Sequence, residues 1–139
     1  MTVLRTVAPD LNWRPVRPYW EAAARGELCL PRCARCARFQ WYPRLLCPAC
    51  LSPDFDWTVV APRGEVYSHT TVRRPFLPGA KDAVPFTVVQ LQLDEVPGVI
   101  VLTGLADEVE PGSITIGQPM TVRFEPATDG VRLPVAYPR

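Results

Sequence analysis

Two Cys-x-x-Cys pairs, Cys33-Ala-Arg-Cys36 and Cys47-Pro-Ala-Cys50, are separated by ten residues and constrain this 139-residue chain more than anything else in it. Two residues between paired cysteines let both thiolates of one tight turn reach a single ion. A second such turn completes a tetrahedron with metal–sulfur distances of about 2.3 Å. Iron can occupy such a site, as in rubredoxin-like centres, but a four-thiolate ribbon more commonly holds zinc. Four thiolates leave no position for water or substrate, so the expected Zn2+ is structural. It is also needed. A ribbon of roughly thirty residues buries too little surface to fold alone, and zinc binding in such modules contributes on the order of 10 kcal/mol. The fifth cysteine, Cys29, lies between Leu28 and Leu30 with no base beside it and reads as a packing residue.

An odd count of five cysteines fits a reducing compartment better than a disulfide framework. No stretch approaches the ~20 apolar residues that span a bilayer, and the first twenty residues lack the continuous apolar core of a secretory signal. The expected location is the cytoplasm.

Seventeen prolines, scattered through the whole chain, argue for short strands and tight turns over long helices. Residues 1–14 show no periodicity and read as an extended arm. One helix is expected, over Val16 to Arg25: Pro15 and Pro18 suit its start, Val16, Trp20 and Ala23 or Ala24 share a face, and Gly26 suits its end. Beyond Gly64 the pattern is all-β, with strands over Glu65–Arg73, Thr87–Leu93, Val99–Leu102, Pro119–Phe124 and Val131–Val135. The strand from Thr87 alternates, with Thr87, Val89, Leu91 and Leu93 on one side and Val88, Gln90 and Gln92 on the other. Five short strands with no helix between them suggest a small OB-type barrel. The expected fold is therefore mainly β, in three parts: an N-terminal arm and helix (1–26), a rubredoxin-like four-cysteine zinc ribbon (27–60) and a five-stranded OB-fold barrel (61–139). Val99–Leu102 is apolar without alternation, so something must cover its outer side: the ribbon, the helix or a partner subunit.

Catalysis has little to stand on in these residues. His69 is the single histidine, on a strand, and no nucleophile elbow, phosphate loop or dinucleotide fingerprint occurs. Asp107, Glu108 and Glu110 read as an acidic loop. Charge is uneven: residues 1–50 hold eight Arg against three acids, and residues 51–139 hold seven basic side chains against eleven acidic ones. Arg32, Arg35, Arg38 and Arg44 interleave with Phe39, Trp41 and Tyr42, a mixture that suits nucleic acid or an acidic protein partner. The acidic barrel half, with Tyr67 and Phe124 as its only candidate stacking aromatics, favours the protein partner.

The order of motifs resembles a known family. Pro18-Tyr19-Trp20 precedes the cysteine pairs, with Phe39-x-Trp41-Tyr42-Pro43-Arg44 between them. Gly64-Glu65-Val66-Tyr67-Ser68, Pro85-Phe86, Ile116-Gly117, Val122-Arg123-Phe124 and Asp129-Gly130-Val131-Arg132-Leu133-Pro134 follow. Over residues 15–138 the chain resembles the zinc-ribbon plus OB-fold acyl-CoA-associated proteins, long catalogued as a domain of unknown function. One departure is His69, where an aromatic residue is expected. The resemblance implies a non-catalytic accessory subunit of a thiolase-superfamily enzyme, an aldolase or acyltransferase, with a hot-dog-fold enoyl-CoA hydratase as the alternative partner. It implies steroid or lipid side-chain degradation as a setting and an acyl-CoA at or near the interface. Arg73, Arg74, Phe76 and Lys81 are then candidate acyl-CoA contacts, because cations beside apolar residues match a ligand of phosphates, adenine and an apolar tail. Tyr19, Trp20, Phe39, Trp41 and Tyr42 are candidate partner contacts. The alternative from another class is a single-stranded nucleic-acid binder.

Overall fold

Proline sets where the helix begins. Pro15 lies in a 3-10 turn, Arg14–Val16, and Pro18 in the first turn of α1 (Arg17–Ala24), where the missing N–H costs nothing. Gly26 ends it at φ +79°, with its N–H donating to the Ala23 carbonyl at 2.9 Å. In the computed structural model, which describes residues 8–78 and 81–139, α1 buries Tyr19, Ala22 and Ala23. The arm expected over 1–14 lies outside the described residues as far as residue 7, and so do Gly79 and Ala80 in the cation-bearing segment.

After the helix, β1 (Leu28–Cys33) and β2 (Phe55–Val60) pair antiparallel from Leu28↔Val60 to Cys33↔Phe55. The two cysteine turns lie in the connection between these strands. The rest of the chain forms β3 (Arg63–Val72), β4 (Phe86–Leu93), β5 (Ile100–Leu105), β6 (Pro119–Pro126) and β7 (Arg132–Pro138). They close into a barrel in the order β3-β4-β5-β7-β6, antiparallel except between β5 and β7. This is the expected five-stranded OB fold, in a mainly β chain with one N-terminal helix and a four-cysteine ribbon.

Alternation along β4 holds: Thr87, Val89, Leu91 and Leu93 point into the barrel, while Val88, Gln90 and Gln92 face outward. The interior is filled by Val66, Val89, Leu91, Leu93, Val101 and Met120, all but sealed from solvent. Tyr19 and Ala23 of α1 and Leu28 and Leu30 of β1 join the same apolar cluster, so helix, ribbon sheet and barrel share one core. Among the described residues no helix is long and apolar enough to cross a membrane.

The barrel closes through a narrow contact. β3 pairs with β6 only over Arg63–Glu65, while Gly64 is also paired with Leu93 of β4. A Cβ at Gly64 would meet the Gln92 carbonyl oxygen at 2.3 Å, a backbone atom that cannot swing aside. Gly64→Ala is expected to destabilise the chain by about 3 kcal/mol, the upper range for overpacking. Denaturant unfolding checks this, and an unchanged midpoint would show that the strands separate at little cost.

Candidate metal centre and adjoining groove

The two cysteine turns are built alike. The Cys33 N–H donates to the Arg38 carbonyl and the Ala37 N–H to the Cys33 carbonyl, both at 2.9 Å. Fourteen residues on, the Cys47 N–H donates to Ser52 and the Leu51 N–H to Cys47, at 2.9 and 2.8 Å. Ala37 and Leu51, equivalent positions, both take left-handed backbone angles, φ +62° and +61°. Non-glycine residues seldom adopt them, and here the turn geometry that gathers the sulfurs requires them. All four Sγ atoms lie within 4.8 Å of one another. Cys33–Cys50 and Cys36–Cys47 stand at 3.5 and 3.6 Å. A tetrahedron with arms of about 2.3 Å has edges of about 3.8 Å, so the four sulfurs are gathered on the scale of a zinc site.

The backbone also prepares the sulfurs. The Cys36 N–H points at Cys33 Sγ and lowers that thiol's pKa. At Cys47 burial opposes ionisation, but the N–H groups of Ala49 and Cys50 prevail and bring the thiol down to about 6. Cys50 goes the other way: the Ser52 N–H favours its thiolate, yet burial and the neighbouring sulfurs push it up to about 11. Four thiolates crowded together need a cation to replace their protons, and a bound divalent ion supplies that charge. Cys29 stands apart, buried in β1 opposite Val59, with burial raising its thiol.

Beside this cage the aromatic residues converge on Tyr19. Its ring meets Trp20 and Trp41 at centroid distances of 4.8 Å and Phe124 of the barrel at 6.1 Å. Tyr42 packs on Trp41 and stacks on Trp13, and Arg32 lies over Phe39 at 5.5 Å. Tyr19 is only 3% exposed, and burial drives its phenol well above the usual range. It therefore joins α1, ribbon and barrel from within, which corrects its expected place on a partner-facing surface. Trp20, Phe39 and Trp41 are half-buried and Tyr42 is exposed. Of the two candidate stacking aromatics of the barrel, Phe124 is buried and Tyr67 is exposed.

This packing answers the question raised by Val99–Leu102. Val99 and Val101 are buried, while Leu102 points outward and keeps 54% of its surface exposed. The helix and the ribbon cover the outer sheet only in part. They leave a groove of about 200 Å³ floored by Val88, Leu102, Gly104 and Pro134 and walled by Trp20, Trp41 and Tyr42. The sequence signal for it was the non-alternating run; its walls come from elements remote in the chain.

The candidate acyl-CoA residues lie elsewhere, on the long connection from β3 to β4. Arg73, Arg74, Phe76 and Lys81 are all exposed there, Phe76 at 79%. Arg73 borders a cleft of about 470 Å³ that also contains Thr71, Phe86, Asp107 and Glu110. His69 sits in β3 opposite Val89, half-buried.

Cys47→Ala is expected to remove bound zinc, a loss on the order of 10 kcal/mol of binding free energy, and to leave the ribbon without fixed structure. Metal analysis together with amide dispersion in NMR spectra checks this. A variant that stays folded with one zinc ion would refute the ligand set.

Comparison with known proteins agrees with this architecture. Residues 20–56 match the model of the ChsH2 rubredoxin-like zinc ribbon domain, and residues 57–125 that of the ChsH2 C-terminal OB-fold domain. A chain of the solved structure "Ltp2-ChsH2(DUF35) aldolase" is 32% identical with a TM-score of 0.81, covering 94% of this chain and 98% of that one. A "Probable enoyl-CoA hydratase alpha subunit" of Thermomonospora curvata is 32% identical over 120 residues, 86% of this chain and 36% of that protein. This chain thus spans about a third of that curated relative. A DUF35-family protein of unknown function from Sulfolobus solfataricus shares the fold, with a TM-score of 0.58 at 13% identity over 92% of this chain and 89% of that one. With both halves of the ChsH2 architecture matched and its four-sulfur cage formed, the chain belongs to the ChsH2 (DUF35) family of zinc-ribbon and OB-fold proteins.

Proposed function

We propose that this chain is a non-catalytic accessory subunit of a thiolase-fold acyl-CoA enzyme, an aldolase or acyltransferase, and that it helps form the acyl-CoA site. The observation that carries this reading is the likeness along almost the whole length of a chain from the Ltp2-ChsH2(DUF35) aldolase. The chemistry of the chain is consistent with it. Its metal cage is saturated by protein sulfur, which suits zinc as scaffold. The surface combines arginines with half-exposed aromatics, the composition of protein–protein anchors. Trp20, Phe39, Trp41 and Tyr42 are the partner contacts under this reading.

Acyl-CoA contact falls to the connection between β3 and β4. Phe76 and Leu77 offer apolar surface there beside Arg73, Arg74 and Lys81. The carboxylates of Asp107 and Glu110 share the Arg73 cleft and oppose a phosphate in it, so Arg74 and Lys81 are the stronger phosphate ligands. The substrate class is an acyl-CoA thioester, with steroid or lipid side-chain degradation as the setting and the cytoplasm as the compartment.

A second reading has its own observation: the Thermomonospora curvata relative is named for an enoyl-CoA hydratase, so a hot-dog-fold hydratase is the alternative partner. Nucleic-acid binding is disfavoured by geometry. OB barrels take oligonucleotides on the face of their second and third strands, here the outward side of β4 and β5, and α1 with Trp41 and Tyr42 already lies across part of it.

Co-expression with the thiolase-fold and hot-dog-fold reading frames of the same genome tests the assignment. The expected outcome is a stable complex with the thiolase-fold chain, whose activity depends on this one; a complex with the hydratase alone would select the second reading. In the complex, charge reversal at Arg73, Arg74 and Lys81 together is expected to weaken acyl-CoA binding about tenfold or more. Calorimetry giving an unchanged affinity would remove the loop from the acyl-CoA site.

A further inference from the structure

We propose that Arg32 is a positioning residue of the metal centre, whose side chain clamps the first cysteine turn from outside and holds Cys33 and Cys36 ready for zinc. The clamp belongs to the fold itself, whichever enzyme the chain serves. Arg32 directly precedes Cys33 in β1 and is exposed. Its Nε donates to the Ala37 carbonyl at 2.9 Å, a bond that reaches across the whole Cys33–Cys36 turn. Ala37 is the residue at φ +62°, a conformation that costs an alanine strain. Its N–H donates to the Cys33 carbonyl. The strained residue is thus fastened on both sides, through its N–H to Cys33 and through its carbonyl to Arg32.

The head group that makes this bond is itself held. The guanidinium carbon stands 5.5 Å from the centroid of the Phe39 ring, and the backbones of Arg32 and Phe39 form an antiparallel bridge. Phe39 packs against the core cluster. A flat cation over a ring face is favourable and restricts the arginine's rotamers, so less entropy is lost per hydrogen bond than for a free surface side chain. A continuous set of contacts therefore runs from the core through Phe39 and Arg32 to the turn that carries the first two ligands.

The second turn shows that the same backbone is fixed by other means. Fourteen residues on, the position of Arg32 is taken by Leu46, which has no side-chain donor. There Ser52, which occupies the position of Arg38 and is buried, accepts the Asp54 N–H on its Oγ at 3.2 Å. The Asp54 carbonyl in turn accepts the Ala34 N–H of the first turn at 3.0 Å. The second turn is closed by a buried hydroxyl, the first by an arginine on its outer surface. Side chains that hold ligands in place from behind typically change metal affinity by about 10- to 100-fold, and the exposure of Arg32 points to the lower end of that range.

The test uses the full chain and zinc alone, with affinity read by competition against a chromophoric chelator. Arg32→Met keeps the apolar stem over Phe39 and removes both donor and charge. Arg32→Lys keeps the charge without the flat head group. Arg38→Met removes an exposed charge from the same turn and is the control. Arg32→Met is expected to bind zinc about tenfold more weakly, and Arg32→Lys also more weakly than wild type, while Arg38→Met stays close to it. Both losses are expected to persist at about 1 M salt, where the Debye length is about 3 Å and remote charges are screened. Wild-type affinity in Arg32→Met would overturn the clamp. Equal loss in Arg38→Met, full affinity in Arg32→Lys, or a loss that vanishes at high salt would overturn it in favour of charge alone. Should the methionine variant fail to fold, the lysine variant and the control decide between the same outcomes.

Discussion

Four sulfurs around one ion hold the ribbon in shape, and the ribbon's shape governs what the rest of the surface can be. The two strands of this module and its two turns are too short to enclose a core. The backbone has accepted left-handed angles at Ala37 and Leu51 to bring the thiols together. With zinc in the cage those angles are locked, and Phe39, Trp41 and Tyr42, carried on the segment between the cysteine pairs, stand in fixed positions. Without the cage the segment that carries these rings would lose the constraint of its four sulfurs.

Tyr19 makes the second connection. A buried tyrosine ring in contact with Trp20, Trp41 and Phe124 ties the helix, the ribbon and the barrel into one packed cluster. Aromatic pairs of this kind contribute about 0.5–1.5 kcal/mol each beyond their buried area. The more important consequence is geometric. The outer face of β4 and β5, which an OB barrel ordinarily leaves open for a ligand, is partly roofed by the chain's own aromatics. Between those rings and the strands an apolar hollow of about 200 Å³ remains. A metal cage closed by four protein sulfurs and a barrel face partly roofed by aromatic rings thus sit side by side on this chain.

Much of this was legible from residues alone. The cysteine spacing specified the cage, because thiolate reach across a two-residue turn is a local property. Proline and glycine placement gave the helix limits to within a residue, and alternation along Thr87–Leu93 gave the inward side of β4. What the residues left open was the place of Tyr19 and Phe124. An aromatic residue in an amphipathic segment looks the same whether its ring meets solvent, a partner or another part of its own chain. Only the closure of the helix over the barrel, with rings more than a hundred residues apart in sequence brought within 6.1 Å, decides among these.

The non-alternating run at Val99–Leu102 marks the boundary between the two kinds of knowledge. Its composition required a cover for both faces of a strand, a demand that follows from the hydrophobic effect and needs no coordinates. What covers it, and how completely, was decided by tertiary structure. The helix and ribbon meet the sheet through Trp20, Trp41 and Tyr42, and a groove remains between these rings and the strands. The gap they leave is a property of how three elements meet. No single segment encodes it.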